Sequence, residues 1–182
     1  MENLHLVYQG LASLYTKLNL HEKALGYTLR SLDIAVHSGF NEPLQTSLMS
    51  IGACYYKLGN FAEARKYFDE SLEYKSNTFA EANALHFISR MEDDNSNFEE
   101  AEKLARRHIE ICRKENFFDF EARGLRTLGN ISFKKDIYDE ALRYYNKAIK
   151  VLNNVGDRTV KFATMKNIID TYEKLDDKEN MI

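Results

Sequence analysis

Apolar residues recur at helical spacing along almost the whole chain, as in Leu4, Val7/Tyr8, Leu11, Leu14/Tyr15 and Leu18. That rhythm, close to the roughly 3.6-residue period of an α-helix, gives each segment one apolar stripe and one polar face. Breaks in the pattern carry helix-boundary chemistry. Asn60 with Glu63 three positions on reads as a capping box, whose side chains satisfy orphan amides at a helix start. Asn19/Glu22 and Asn97/Glu100 repeat the arrangement, and Asp136/Asp139 is a weaker form. Gly39 and Gly156 stand where a helix would end in the left-handed conformation that glycine tolerates. Pro43, just after the candidate cap Asn41, fits a first helical turn, where its missing N–H is not needed. The pattern predicts helices over roughly 2–18, 21–38, 41–58, 61–75, 78–93, 97–115, 118–134, 137–154 and 157–174, with a tenth begun at 177. Connections of two to five residues turn neighbouring helices antiparallel.

The segments also repeat. Ala24, Ala64, Ala101 and Ala141 occupy equivalent places at spacings of 40, 37 and 40 residues, and a further step of 40 reaches Met181. Such a period marks stacked supersecondary units, none able to bury its apolar face without a neighbour. The expected fold is all-α, a solenoid of antiparallel helix hairpins with about four and a half repeats. The repeats run over about 5–40, 45–77, 82–117 and 122–156, with a partial one over 158–182, in a single domain spanning 1–182.

Position by position the units resemble tetratricopeptide repeats, in the 40-residue variety of kinesin-light-chain-like and LGN-like proteins. Repeat two carries the resemblance best, with Leu48, Ile51, Gly52, Tyr55, Gly59, Phe61, Ala64, Phe68 and Ser71. Repeat four follows with Leu125, Leu128, Gly129, Tyr138, Ala141, Tyr145 and Ala148, and repeat one with Tyr8, Leu11, Ala12, Tyr15 and Ala24. A small residue such as Gly52 or Gly129 lets the paired helix come close, and aromatic residues fill the space between hairpins. Repeat three departs from the pattern, with Glu92 and Ala105 at the two aromatic places and three residues fewer near 75–77. Repeat five has Met165, Ile168, Ile169 and Tyr172 but ends as its second helix starts. Solenoid ends need a polar cap for solubility, so the chain reads as a piece of a longer protein, or as one whose uncovered end self-associates with another copy.

The resemblance implies a right-handed superhelix whose first helices line an inner groove. Carried onto this chain, one edge of that groove gathers His86, Arg90, Arg123, Arg126 and Lys166, and the other Asp93, Asp94 and Glu173. Arg126 and Asn130, with Asn167 in the next repeat, resemble two-thirds of the carboxylate clamp of chaperone-binding members, with arginine in place of the usual lysine. Donors four residues apart on one helix face, one of them a guanidinium, suit a carboxylate.

Composition narrows the function. A net charge of −3 gives no global attraction to nucleic acid or to an anionic membrane, so neither is an expected partner. The five histidines form no metal-binding pair, and no phosphate loop or nucleophile elbow is present, so no catalytic residue, metal or cofactor is assigned. Cys54 and Cys112 read as small apolar core residues of a reducing compartment, which points to the cytoplasm. The alternating charges of Glu99, Glu100, Glu102, Lys103, Arg106 and Arg107 suit a solvated helix face rather than a basic stripe. The expected function is a non-catalytic scaffold that holds a protein or peptide in the groove, with a preference for acidic segments. The alternative is a regulatory, peptide-sensing input module of a larger bacterial signalling protein.

Overall fold

Five helix ends are closed by one device. Asn19, Gly59, Ser96, Asn116 and Asp136 all have φ between 58° and 78°, the left-handed region. At the first of them the Asn19 amide bonds Thr16 O (3.0 Å) and the Leu20 amide reaches back to Tyr15 O (2.9 Å). The same pair of bonds recurs at the other four, which satisfies the last carbonyls of each helix. Only one of the five is glycine, so four side chains accept a strain of order 1 kcal/mol each, offset by the bonds gained.

The computed structural model describes residues 2–152 and 158–180, and among these it contains nine α-helices and no strand. They are α1 (Glu2–Lys17), α2 (His21–Ser38), α3 (Asn41–Lys57), α4 (Phe61–Glu73), α5 (Thr78–Asp94), α6 (Phe98–Lys114), α7 (Phe118–Lys134), α8 (Tyr138–Leu152) and α9 (Arg158–Asn180). The all-α repeat fold is as expected, and Gly39 ends α2 in the left-handed conformation. Gly156 lies outside the described residues.

Three expectations need correction. Asn19 and Asp136 do not cap the helices that follow them, because each is the left-handed residue that closes the helix before. Asn97 does hold the cap position of α6, but its side chain donates to Glu92 Oε2 (2.8 Å) instead of receiving an amide. Asn60 caps as expected, accepting from the Glu63 amide at 3.4 Å. No tenth helix begins at 177, since α9 runs unbroken to Asn180. Asp176 stands where Asp136 turned the chain, yet Asp176, Asp177, Lys178, Glu179 and Asn180 include no apolar residue to draw a new helix back.

The chain divides into two compact units, Met1–Ile88 and Ser89–Ile182. In the first, α2 packs on α1 and α3, and α3 on α4. In the second, α7 packs on α6 and α8, and α9 lies on α8 and α7. Within each hairpin the pairing is set by the sizes of two facing residues. Phe68 is fully buried, with ring atoms 2.7 Å from where a Cβ on Gly52 would sit. Tyr145 covers Gly129 in the same way at 2.4 Å. Where repeat three has only Ala105, the facing position has grown to Ser89, whose hydroxyl donates to Ala101 O (2.8 Å). In repeat one the equivalent residues are Ala12 and Thr28, both buried. Where repeat three lacks the aromatic, the facing residue is thus the larger one, and both Ser89 and Ala105 are buried.

The loss of three residues near 75–77 is absorbed by α4 and the turn after it, and a buried glutamine holds that turn. Gln45, fully buried, accepts at Oε1 from the amides of Ser76 (2.9 Å) and Asn77 (2.8 Å). Asn77 then caps α5, accepting from the Ala80 amide at 2.8 Å.

Candidate functional site

The first helices of the second unit, α7 and α9, meet through two side chains that the sequence placed together. Asn167 Nδ2 donates to Asn130 Oδ1 at 2.6 Å. The hydroxyl of Tyr145, rising from α8, donates to the same oxygen at 2.9 Å. With its oxygen taken by two donors, Asn130 has only N–H groups to offer a ligand. Tyr145 is 2% exposed, and burial pushes its phenol up to about 12, an effect that nearby Asp93 and Asp170 reinforce and that Asn167 and Arg126 oppose. The ring is thus a neutral donor at physiological pH, wedged on Gly129 and locked to the asparagine pair.

Charge surrounds this cluster unevenly. Arg126 stands one turn before Asn130 and half-buried, close enough to Tyr145 for its field to be felt. Arg123 lies over the Phe120 ring, 5.1 Å from its centroid, and Lys166 is exposed on α9. Arg90, at the end of α5, sits near Asp93. The acidic edge is largely neutralised from within, because Lys134 Nζ pairs with Asp93 Oδ1 (3.0 Å) and Asp94 Oδ1 (3.6 Å). Asp93 is 5% exposed, and burial raises its carboxyl above the usual range despite Lys134. His86 belongs to the first unit and is 6% exposed, its ring tilted against Phe87 at 5.6 Å.

Tyr145 completes this arrangement, and sequence reasoning did not assign it to the site. The signal for Tyr145 is that a tyrosine replaces the phenylalanine of repeat two (Phe68) beside a helix bearing asparagine, so its hydroxyl needs a partner.

Cys54 and Cys112 are free and buried, as expected of core residues. Burial raises the thiol of Cys54 and pushes that of Cys112 up to about 12. Among the described residues no three metal-ligating side chains come together, and no helix is long and apolar enough to cross a membrane.

Profiles described as Tetratricopeptide repeat match residues 43–114 and 122–154, more than half of the chain. The chain belongs to the tetratricopeptide repeat family. A curated relative, response regulator aspartate phosphatase A of Bacillus subtilis (strain 168), is 28% identical over 106 residues. That match covers 57% of this tetratricopeptide repeat chain but only 28% of the relative's length. Among solved structures, a signal transduction ATPase with numerous domains from Pyrococcus horikoshii, which has a tetratricopeptide repeat sensor, superposes with a TM-score of 0.78. It is 20% identical and shares 96% of this chain and 27% of its own. The apo form of the quorum sensor NprR from B. thuringiensis gives a TM-score of 0.74 at 15% identity, over 88% of this chain and 47% of that one. A putative kinesin light chain with nearly identical TPR-like repeats from Podospora anserina gives 0.70 at 13%, over 99% and 92%. At such identities these structures support the repeat fold alone.

Proposed function

We propose that this tetratricopeptide repeat chain is a non-catalytic scaffold that binds an acidic peptide segment on the face formed by α7 and α9. The observation that carries this reading is the Asn130–Asn167–Tyr145 cluster beside Arg126. Asn130 Oδ1 is taken by two internal donors, so this side chain offers N–H groups, which suit carboxylates and peptide carbonyls. Arg123, Lys166 and Arg90 add positive charge around it, and the pairing of Lys134 with Asp93 and Asp94 keeps the acidic edge from repelling such a ligand. Side chains fixed by second bonds lose little freedom on binding, which favours affinity.

Arg126→Glu tests this directly. Titration calorimetry with an acidic peptide is expected to show affinity lower by about tenfold or more, corresponding to roughly 1.4 kcal/mol. Unchanged affinity would exclude the face.

A second reading is favoured by the relatives. The curated relative is a response-regulator phosphatase, and two structural neighbours are a quorum sensor and a sensor-bearing signalling ATPase. On this reading the same face takes a peptide signal, and its occupancy biases the conformation of an attached output domain.

A further inference from the structure

One helix of the second unit has an apolar side that its own chain leaves open. α9 packs on α8 and α7, and Val160, Thr164 and Thr171 form its buried side. Asn167 turns the same way, towards Asn130 of α7. The other side carries a second stripe, Phe162, Met165, Ile169 and Tyr172, which are 75%, 49%, 58% and 52% exposed. Their spacing of three, four and three residues is that of a coiled-coil seam, which stays dry only against a facing helix. Four large apolar side chains in one row are a patch, not the scattered exposure that any surface shows.

The order of residues along the stripe selects that helix. Counted outward from Asn167, Met165 and Ile169 stand at equal distance, then Phe162 and Tyr172, then Arg158 and Asp176. The last two are exposed and of opposite charge. Such an order is complementary to its own reverse. When two copies of α9 lie antiparallel with their Asn167 residues level, Phe162 of each meets Tyr172 of the other, and Met165 meets Ile169. Arg158 then meets Asp176 at both ends of the seam. A twofold interface requires this reciprocity. Half-buried Ile168, beside the stripe, meets its own counterpart near the axis. Lys166, on the other margin, has Asp170 one turn on to offset its charge.

We infer that the stripe Phe162, Met165, Ile169 and Tyr172 is a self-pairing surface, covered by α9 of a second copy of this chain lying antiparallel. The competing occupant is the exposed stripe of α1, where Leu4, Val7 and Leu14 are 45%, 53% and 51% exposed. Among the described side chains the exposed face of α1 holds Lys17 and no carboxylate, so Arg158 would meet no opposite charge there. A contact between α9 and α1 of another copy would also repeat head to tail instead of closing as a pair. The antiparallel pairing uses the side of α9 away from Asn167. It therefore does not depend on the α7/α9 face binding a ligand, and it sets two such faces in one particle.

Sedimentation equilibrium on the 182-residue chain tests this. Over a range reaching on the order of 100 μM, where a seam of small area should pair, the mass is expected to rise to twice 21.2 kDa and stop there. Phe162→Glu should weaken the dimer at least about tenfold, because it sets a charge inside the seam. That side chain is exposed in the single chain, so circular dichroism should not change; if helix is lost, Ile169→Gln takes its place. Arg158→Asp and Asp176→Arg should each weaken pairing, since like charges then meet at both ends. Mixed in equal amounts, these two variants should pair with one another more tightly than either pairs with itself, because opposite charges meet again. A chain that stays monomeric over the whole range overturns the inference. So does a dimer that neither Phe162→Glu nor Ile169→Gln weakens, or a mixture that pairs no better than its components. Growth beyond the dimer that Leu14→Glu abolishes would put α1 on the stripe, and overturns it too.

Discussion

Phe68→Ala is expected to destabilise the chain by about 3–5 kcal/mol, the range for deleting a buried aromatic from a core that cannot collapse into the space. Phe68 is fully buried, stacks on Phe87 with centroids 5.2 Å apart and covers Gly52. Its removal uncovers both neighbours at once. Stability would be read from the midpoint of urea unfolding. The chain itself suggests the partial remedy, since repeat three has alanine at this place with Ser89 opposite. Gly52→Ser added to Phe68→Ala should therefore recover part of the loss, by filling space and by donating to Ala64 O as Ser89 does to Ala101 O (2.8 Å). A double variant no more stable than Phe68→Ala alone would contradict the size-matching account.

Gly129→Ala should cost about 1–3 kcal/mol, the usual penalty for forcing an extra carbon into a filled core. The new methyl would lie 2.4 Å from Tyr145 Cε1, in a ring that is 2% exposed and tied through its hydroxyl to Asn130. The ring can yield only by giving up that bond, so the substitution should also weaken ligand binding at α7 and α9. Gly10→Ala and Gly26→Ala are the controls. Neither new methyl has a heavy atom within 4 Å, and each should stabilise its helix by about 0.5–1 kcal/mol. Thermal melting separates the cases, a loss of 1 kcal/mol lowering the midpoint by roughly 2–4 °C in a chain of this size. A Gly129→Ala midpoint at or above wild type would contradict the packing described.

Much of the fold was legible because its signals are local and recur in phase. The helical period of the apolar residues and the alanine at Ala24, Ala64, Ala101 and Ala141 placed the helices to within a few residues at most ends. Helix termini were harder, for a physical reason. An asparagine or aspartate at a junction suits both the left-handed close of one helix and the cap of the next. Which role Asn19 or Asp136 takes depends on which neighbour accepts the turn's amides. Gln45 was silent in the sequence, because a single glutamine on a helix reveals nothing of the two amides it holds more than thirty residues away.

The site was legible in part. Asn130 and Asn167 were placed together by carrying family positions onto the chain, and they do meet. The charge edges were drawn from helix places alone, which cannot show that Lys134 folds onto Asp93 and Asp94. His86 occupies a groove place by count, yet it is buried, because place in a repeat does not set the depth of an individual side chain.

The most direct measurement of the central claim is a titration of the isotope-labelled chain with an acidic peptide, following the side-chain amide signals of Asn130 and Asn167 by nuclear magnetic resonance. Ligand binding on α7 and α9 should move both pairs of signals together, and Arg126→Glu should abolish the movement at the same peptide concentration. Saturable binding that leaves both asparagine signals in place would contradict the assignment of this face.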